Sequence, residues 1–431
     1  MTTSSEHWKM PTWVVAGTLS FIPLLMVLGN SVLIPVLPTM ERALHVSKFQ
    51  VSLVITLFSV PAGVIIPIAG FLSDRISRKW IVGPSLIIFG LGGVMAGFVS
   101  MWIKHPYSLL LVGRIVQGIG AAGTAPIAMA WIGDLFSGSE RSRILGINEA
   151  GNAMGKVVSP IIGSVVALLG WFVVFFVFPI LCIPIALFVW WFLPDDGSHR
   201  GQAQPFRQYF GSLKTVATRE GRWLFTSYLA GAASLFTLFG VLFYLSDVLE
   251  SKYGMNGVLK GLVLAIPLLF LSAASLITGM IIRSRRVLMK WMVVLGFAVM
   301  ATSLAISLWT ASRMWVLLAT MSATALGTGM VLPCLNTFIT SAVSKEQRGI
   351  VTSLYGSVRF LGVAAGPPVF TWLLSSSSTV MMVSVALLSV CLAILSAWLI
   401  RPSKDESGSR DEKGTISSED RSQFGRKPSR F

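Results

Sequence analysis

Charge is scarce in this chain. Asp, Glu, Lys and Arg make up 12% of its 431 residues while apolar types make up 54%, against roughly a quarter charged in a soluble domain. Mean hydropathy is +0.75. That leaves too little polar surface to face water, so the outside of the protein must meet lipid. Cysteine is nearly absent too. Cys182, Cys334 and Cys391 are odd in number, lack CxxC spacing and fall inside apolar runs, and the 4 His are scattered. A disulfide framework and a zinc site are both excluded on that pattern, and no metal or cofactor is expected. The chain has no H-E-x-x-H, no G-x-S-x-G and no intramembrane cluster of His or paired acids, so it does not read as an enzyme. It also has no repeated filter-like loop of the kind an ion channel needs.

What charge there is leans one way. A net +16 can signal nucleic acid, but these charges come as short clusters between apolar runs, with no basic stripe interleaved with aromatics. No nucleic-acid partner is expected. The first apolar run is too long for a cleavable signal peptide and leads straight into further ones.

Crossing about 30 Å of hydrocarbon takes roughly 20 apolar residues in a helix. On that criterion the chain contains twelve spans: Trp13–Leu37, Ser47–Leu72, Trp80–Met101, Tyr107–Ile132, Ile144–Leu169, Phe172–Leu193, Trp223–Ser246, Lys260–Ile282, Lys290–Trp309, Met314–Ser341, Ile350–Leu374 and Thr379–Ile400. The fifth and sixth are divided only by Gly170-Trp171. The expected fold is therefore all-α and integral to the membrane. Loops after even-numbered spans hold 16 Lys and Arg, and those after odd-numbered spans hold 6 (Arg42, Lys48, Lys104, Lys252, Lys260 and Arg313). Basic loops stay inside, which puts both termini in the cytoplasm.

One long polar connection, Pro194–Arg222, divides the chain into two six-span bundles, residues 1–193 and 223–400. The tail, residues 401–431, is too polar to bury a core and reads as disordered. The halves repeat. A shift of 207 residues lays Gly120 on Gly327, Pro126 on Pro333, Arg141 on Arg348, Gly155 on Gly362 and Pro160 on Pro367. Parallel halves of this kind are a known transporter plan, with the substrate held between them near the midplane.

Three segments carry a family resemblance. Span two ends in Gly70-Phe71-Leu72-Ser73-Asp74-Arg75-Ile76-Ser77-Arg78-Lys79, which resembles the G-x-L-[SA]-D-R-x-G-R-[RK] loop of the major facilitator superfamily, with Ser77 in place of the usual Gly. In span four, Arg114 to Gly120, with Gln117 and Gly118 between, resembles its R-x-x-Q-G-x-G element. In span five, Gly155 through Pro160 and Gly163 resembles the antiporter motif G-x(3)-G-P-x-x-G-G, with Ser159 and Ser164 replacing two glycines. The last points to the twelve-span drug:proton antiporter branch. The resemblance implies a conformational switch at Gly70, Asp74, Arg75, Arg78 and Asp134, with Asp74 facing the start of span eleven and Arg78 paired to Asp134. Arg283 takes the place of Asp74 in the second half. Gly155 and Pro160 would serve close packing and bending of span five.

Four ionisable residues lie inside spans: Arg114, Glu149, Lys156 and Arg359. Each costs several kcal/mol, about 2.5–3.5 on insertion scales, unless it meets a cavity or a partner. Glu149, Asn152 and Lys156 are spaced i, i+3, i+7 on one helix face. Glu149 and Lys156 are about 10 Å apart along the helix, too far to pair directly, and Glu149 lies near enough to the span's start to be interfacial. The 207-residue shift aligns Arg359 with Asn152. Three cations against one anion would favour a negatively charged cargo. Asn30 stands where many relatives carry Asp in span one, which removes the carboxylate a simple cation/proton exchanger would use.

The reading is a secondary active exporter of amphiphilic drugs or metabolites, anionic ones included, working by alternating access and proton antiport. Its candidate substrate-binding or coupling residues are Asn30, Arg114, Gln117, Glu149, Asn152, Lys156, Asn336 and Arg359. Phe21, Tyr228, Phe236, Tyr244 and Met330 are candidates for apolar wall. Proton-coupled uptake of an organic anion is the alternative. The expected partners are membrane lipid, a small molecule and protons. The expected setting is the plasma (inner) membrane of a bacterium, as a monomer.

Overall fold

The structure, a computed structural model, describes residues 11–136, 138–193, 221–282, 285–310, 313–342 and 345–400. The polar connection (all but its last two residues), Arg283 and the tail lie outside the described residues. Among the described residues, twelve helices are long and apolar enough to cross a membrane. Spans one to six are Thr12–Leu44, Lys48–Ser73, Arg78–Trp102, Tyr107–Leu135, Arg143–Leu169 and Trp171–Phe192. Spans seven to twelve are Gly221–Ser251, Gly257–Ile282, Arg286–Trp309, Met314–Thr340, Gly349–Ser376 and Ser378–Leu399. The face holding the start of span one and the end of span twelve is the terminal face, and the opposite one the far face.

Local chemistry sets the breaks. Ser47 opens span two with a capping box closed by Gln50, which satisfies two otherwise orphan backbone donors. Gly170 turns span five into span six at φ 136°, a conformation that favours glycine, and so this one residue suffices as the connection. Span one is not continuous. A helix Thr12–Ser31 gives way to a 3-10 turn Ile34–Val36 and a short helix Leu37–Leu44, because Pro35 and Pro38 each withhold a backbone N–H. Span seven, its counterpart, runs unbroken.

The two six-helix halves repeat the same packing. Span one lies on span five as span seven lies on span eleven, and the halves meet where span two packs on eleven and span five on eight. The repeat reaches single residues. A Cβ on Gly120 would strike the backbone N of Phe89, and a Cβ on Gly327 would lie 2.5 Å from Gly296 O. Each partner is displaced by the same 207 residues as its glycine. Exposed tryptophans mark both rims: Trp13, Trp191 and Trp398 near the terminal face, Trp102, Trp309, Trp315 and Trp372 near the far face. Indoles gather at the two membrane–water boundaries in this way.

Candidate functional site

The break in span one creates a demand that Arg114 meets. Leu33 N–H donates to Asn30 O rather than to Gly29 O, so the Gly29 carbonyl loses its helical donor. Arg114, 0% exposed, donates Nη2 to Gly29 O at 3.0 Å and to Asn30 Oδ1 at 2.8 Å. Its Nε donates to Val54 O at 2.9 Å and its Nη1 to Gln117 Oε1 at 2.7 Å. The guanidinium also sits 4.5 Å from the centre of the Phe58 ring. Asn30 Nδ2 donates to Ser59 Oγ at 2.7 Å. Asn30, Arg114 and Gln117 thus form one knot binding spans one, two and four inside the first half. A guanidinium at a helix C-terminal end is favoured by the dipole as well as by the orphan carbonyl.

The other in-span polar residues gather at the seam between the halves. Lys156 is half-buried and within electrostatic reach of both Glu149 and Arg359. Glu149 itself is exposed. Arg359 Nη1 donates to Asn336 Oδ1 at 3.3 Å, and its guanidinium lies 5.4 Å from the centre of the Tyr355 ring. Asn152 Oδ1, Arg359 Nε and Tyr355 Oη are buried without a hydrogen-bond partner. Tyr228 stands 5.8 Å from Tyr355, ring centre to ring centre, and its hydroxyl donates to Val351 O at 2.7 Å. Of the other apolar candidates, Phe21 is exposed, Phe236 meets Phe370 edge-on, and Tyr244 and Met330 are buried.

On the terminal face, Arg78 is the centre of a smaller network. It donates Nη1 to Ser73 Oγ at 2.5 Å, pairs with Asp74 at 2.6 Å, and its Nε pairs with Asp134 at 3.1 Å. Arg75 lies over the Phe71 ring at 4.1 Å. These ion pairs are internal to the first half. Contacts also cross to the second half: a Cβ on Gly349 would lie 3.6 Å from Asp74 Oδ2, and one on Gly70 would lie 2.7 Å from Ser353 Oγ. Span five uses its motif on two sides. Gly155 faces span one, where a Cβ would come 3.3 Å from Leu24 Cα, while the Pro160 carbonyl faces Gly261 of span eight. The two serines that depart from the motif have their own contacts. Ser159 Oγ donates to Gly155 O at 2.5 Å, and Ser164 Oγ sits against Gly261 in the seam.

The far face is tied across the seam by charge. Lys48 pairs with Asp247 at 2.7 Å, Arg42 pairs with Glu250, and Lys260 pairs with Glu250 at 2.6 Å. Lys260, 1% exposed, also donates to Pro35 O at 2.7 Å, and Ser246 donates to Ile34 O at 2.8 Å. Pro38, with no N–H to give, leaves the Ile34 carbonyl available to Ser246. Glu41 lies within reach of Lys48, Asp247, Arg42 and Glu250, which completes a group of three acids and three bases.

Comparison with known proteins places the whole arrangement. The sequence matches the profile of the Major Facilitator Superfamily over residues 19–367 and again over 289–429. The chain belongs to the major facilitator superfamily. It is 46% identical over 404 residues to the "Bacillibactin exporter" of Bacillus subtilis, covering 92% of this chain and 98% of that one. It is 27% identical over 364 residues to "Multidrug efflux protein YfmO" of the same species, covering 82% and 84%. Among solved structures, a bacterial homologue of the human lysosomal transporter Spinster, inward-facing and occupied, superposes with a TM-score of 0.72 at 16% identity, over 91% of this chain and 98% of that one. This facilitator is therefore a multi-pass membrane transporter of small molecules and not an enzyme. Its far-face network went unread in the sequence, where Arg42, Lys48 and Lys260 counted only as loop charges. The available signal was Asp247 and Glu250, spaced i, i+3 and so on one helix face, on the side of the chain where acids are fewest.

Proposed function

We propose that this facilitator is a secondary active exporter, moving an amphiphilic, negatively charged metabolite outward by alternating access in exchange for protons. The observation that carries the reading is the asymmetry of the seam. Ion pairs join the halves at the far face, while Lys156 and Arg359 lie half-buried between the halves and the exposed Glu149 stands on the terminal side. A centre tied by ion pairs at the far face, with basic groups in the seam below the tie, is what a carrier offers an anionic cargo.

The bias of 16 basic loop residues against 6 supports a cytoplasmic terminal face. Cargo then loads from the cytoplasm of a bacterial cell and leaves across the plasma membrane. Both termini are cytoplasmic, residues 1–193 and 223–400 act as the two moving bodies, and a monomer suffices. The relative named as a bacillibactin exporter supports the outward direction and makes bacillibactin the first compound to try. Arg114 is already occupied by neutral acceptors, so the charges left for cargo are Lys156 and Arg359. They outnumber Glu149, and the surplus favours an anion. Asn30 is amide, not acid, and is held by Ser59 and Arg114; Asp247 and Glu250 of span seven are engaged by Lys48, Arg42 and Lys260, and Glu149, beside Lys156, is the carboxylate we assign to proton exchange. The membrane potential assists, since each negative charge moved outward gains about 2.3 kcal/mol per 100 mV.

Inverted membrane vesicles with an acid interior test the proposal. They should accumulate bacillibactin, lose it when nigericin collapses the pH gradient, and show at least about a tenfold slower rate in Glu149→Gln. Accumulation by energised intact cells instead would reverse the direction and sink the export reading.

A further inference from the structure

We infer that Tyr355 and Arg359 form the seat for an oxyanion of the cargo, carboxylate or phenolate, and that Lys156 completes it from the other half. This rests on the export reading above and gives its anion a place.

Tyr355 and Arg359 are four residues apart in span eleven and so share one face. Tyr355 is 4% exposed, yet its hydroxyl has no partner. Buried hydroxyls are almost always hydrogen-bonded, and one that is not calls for an explanation. Gly231 of span seven lies directly beneath it, where a Cβ would come 2.7 Å from the oxygen, so the absence of a side chain there is what lets the ring and its hydroxyl lie at this depth. Arg359 repeats the pattern. Asn336 takes one Nη1 hydrogen at 3.3 Å, while Nε is buried and unpartnered. Two open donors, O–H and N–H, stand on one helix face with a positive charge between them, and charge-assisted donors of this kind suit the oxygens of a planar anion. The tilted pair of Tyr228 and Tyr355 rings supplies a flat apolar wall beside them, with Tyr228 fixed by its own bond to Val351 O.

Lys156 approaches from span five, and it and Arg359 act on each other through their charges. Two cations facing across a seam repel, although Glu149 on span five acts on Lys156 more strongly than Arg359 does. An anion between them replaces repulsion with two attractions. It therefore binds more tightly as the halves approach, and only such a difference in affinity lets a cargo bias a conformational change.

The test uses the full-length purified protein with naphthoate as probe and naphthamide as its neutral counterpart, binding being measured by calorimetry. Naphthoate should bind the native protein and naphthamide should bind at least about tenfold more weakly. Tyr355→Phe removes a hydroxyl that makes no internal bond, so the variant should fold as the native chain does yet bind naphthoate about tenfold more weakly. Arg359→Gln and Lys156→Gln should weaken it further. Native affinity in folded Tyr355→Phe and Arg359→Gln, or equal affinity for the two probes, overturns the seat. The export reading is judged separately. Naphthoate binding intact with no bacillibactin transport in vesicles sinks that reading and leaves the seat, while transport intact with binding indifferent to the variants sinks the seat alone.

Discussion

Arg114 is held by four hydrogen bonds and one ring face, and among the described residues no carboxylate pairs with it. Its charge is answered by dipoles: two backbone carbonyls, two side-chain amides and the electron-rich face of Phe58. Removing the guanidinium leaves Gly29 O, Asn30 Oδ1 and Gln117 Oε1 without this donor in a buried place, at a cost of about 1–3 kcal/mol for each that finds no other. Arg114→Met should accordingly lower stability by about 2–4 kcal/mol, seen as a reduced Tm of the detergent-purified protein. An unchanged Tm would mean that the knot is ornamental. The effect should fall on stability rather than on anion preference, which separates Arg114 from Lys156 and Arg359.

Span five is the element on which most of the argument converges, since it packs on span one, on span eight and carries Lys156. A Cβ on Gly163 would strike Val32 O beside the break in span one. Gly163→Leu should therefore push the two helices apart and destabilise the protein by about 1–3 kcal/mol, measured as loss of folded material after solubilisation. Gly146→Ala has nothing within 4 Å of the new methyl and serves as the neutral comparison. Equal behaviour of the two would refute the packing account. At this scale the sequence was informative where physics is one-dimensional. Hydropathy runs located all twelve spans, and the 207-residue shift located equivalent packing sites, because both depend on neighbours along the chain. The break in span one escaped notice because Pro35 and Pro38 sit among residues apolar enough to read as continuous helix. The polar seam was half legible. Lys156 and Arg359 stand out as charges in apolar runs, whereas Tyr355 is an ordinary aromatic until its hydroxyl is seen to lack a partner. The far-face pairs were illegible for a plainer reason: Arg42 and Glu250 are 208 residues apart, Lys48 and Asp247 are 199 apart, and loop charge counts say nothing of partners across a fold.

For the whole molecule, under the alternating access proposed above, those pairs set the balance between closed and open far faces. Glu250 is shared by Arg42 and Lys260, and Lys260 is almost fully buried. Losing one partner of a buried pair costs about 3–5 kcal/mol, and the cost falls on the closed form, since opening lets Lys260 find water. Glu250→Gln should shift the population toward an open far face by at least about a hundredfold. Spin labels on the far ends of spans one and seven would report it as longer distances, and a native distance distribution would remove the network from the gating scheme. The knot around Arg114 has a consequence of a different kind, for biogenesis. An arginine at the middle of a helix costs about 2.5–3.5 kcal/mol at insertion, and all the groups that offset it in this fold, apart from Gln117, belong to spans one and two. Span four is thus a poor guest in an empty bilayer and a good one beside its predecessors. Synthesis from the N-terminus delivers those predecessors first, so the order of translation is itself part of how this protein becomes stable in the membrane.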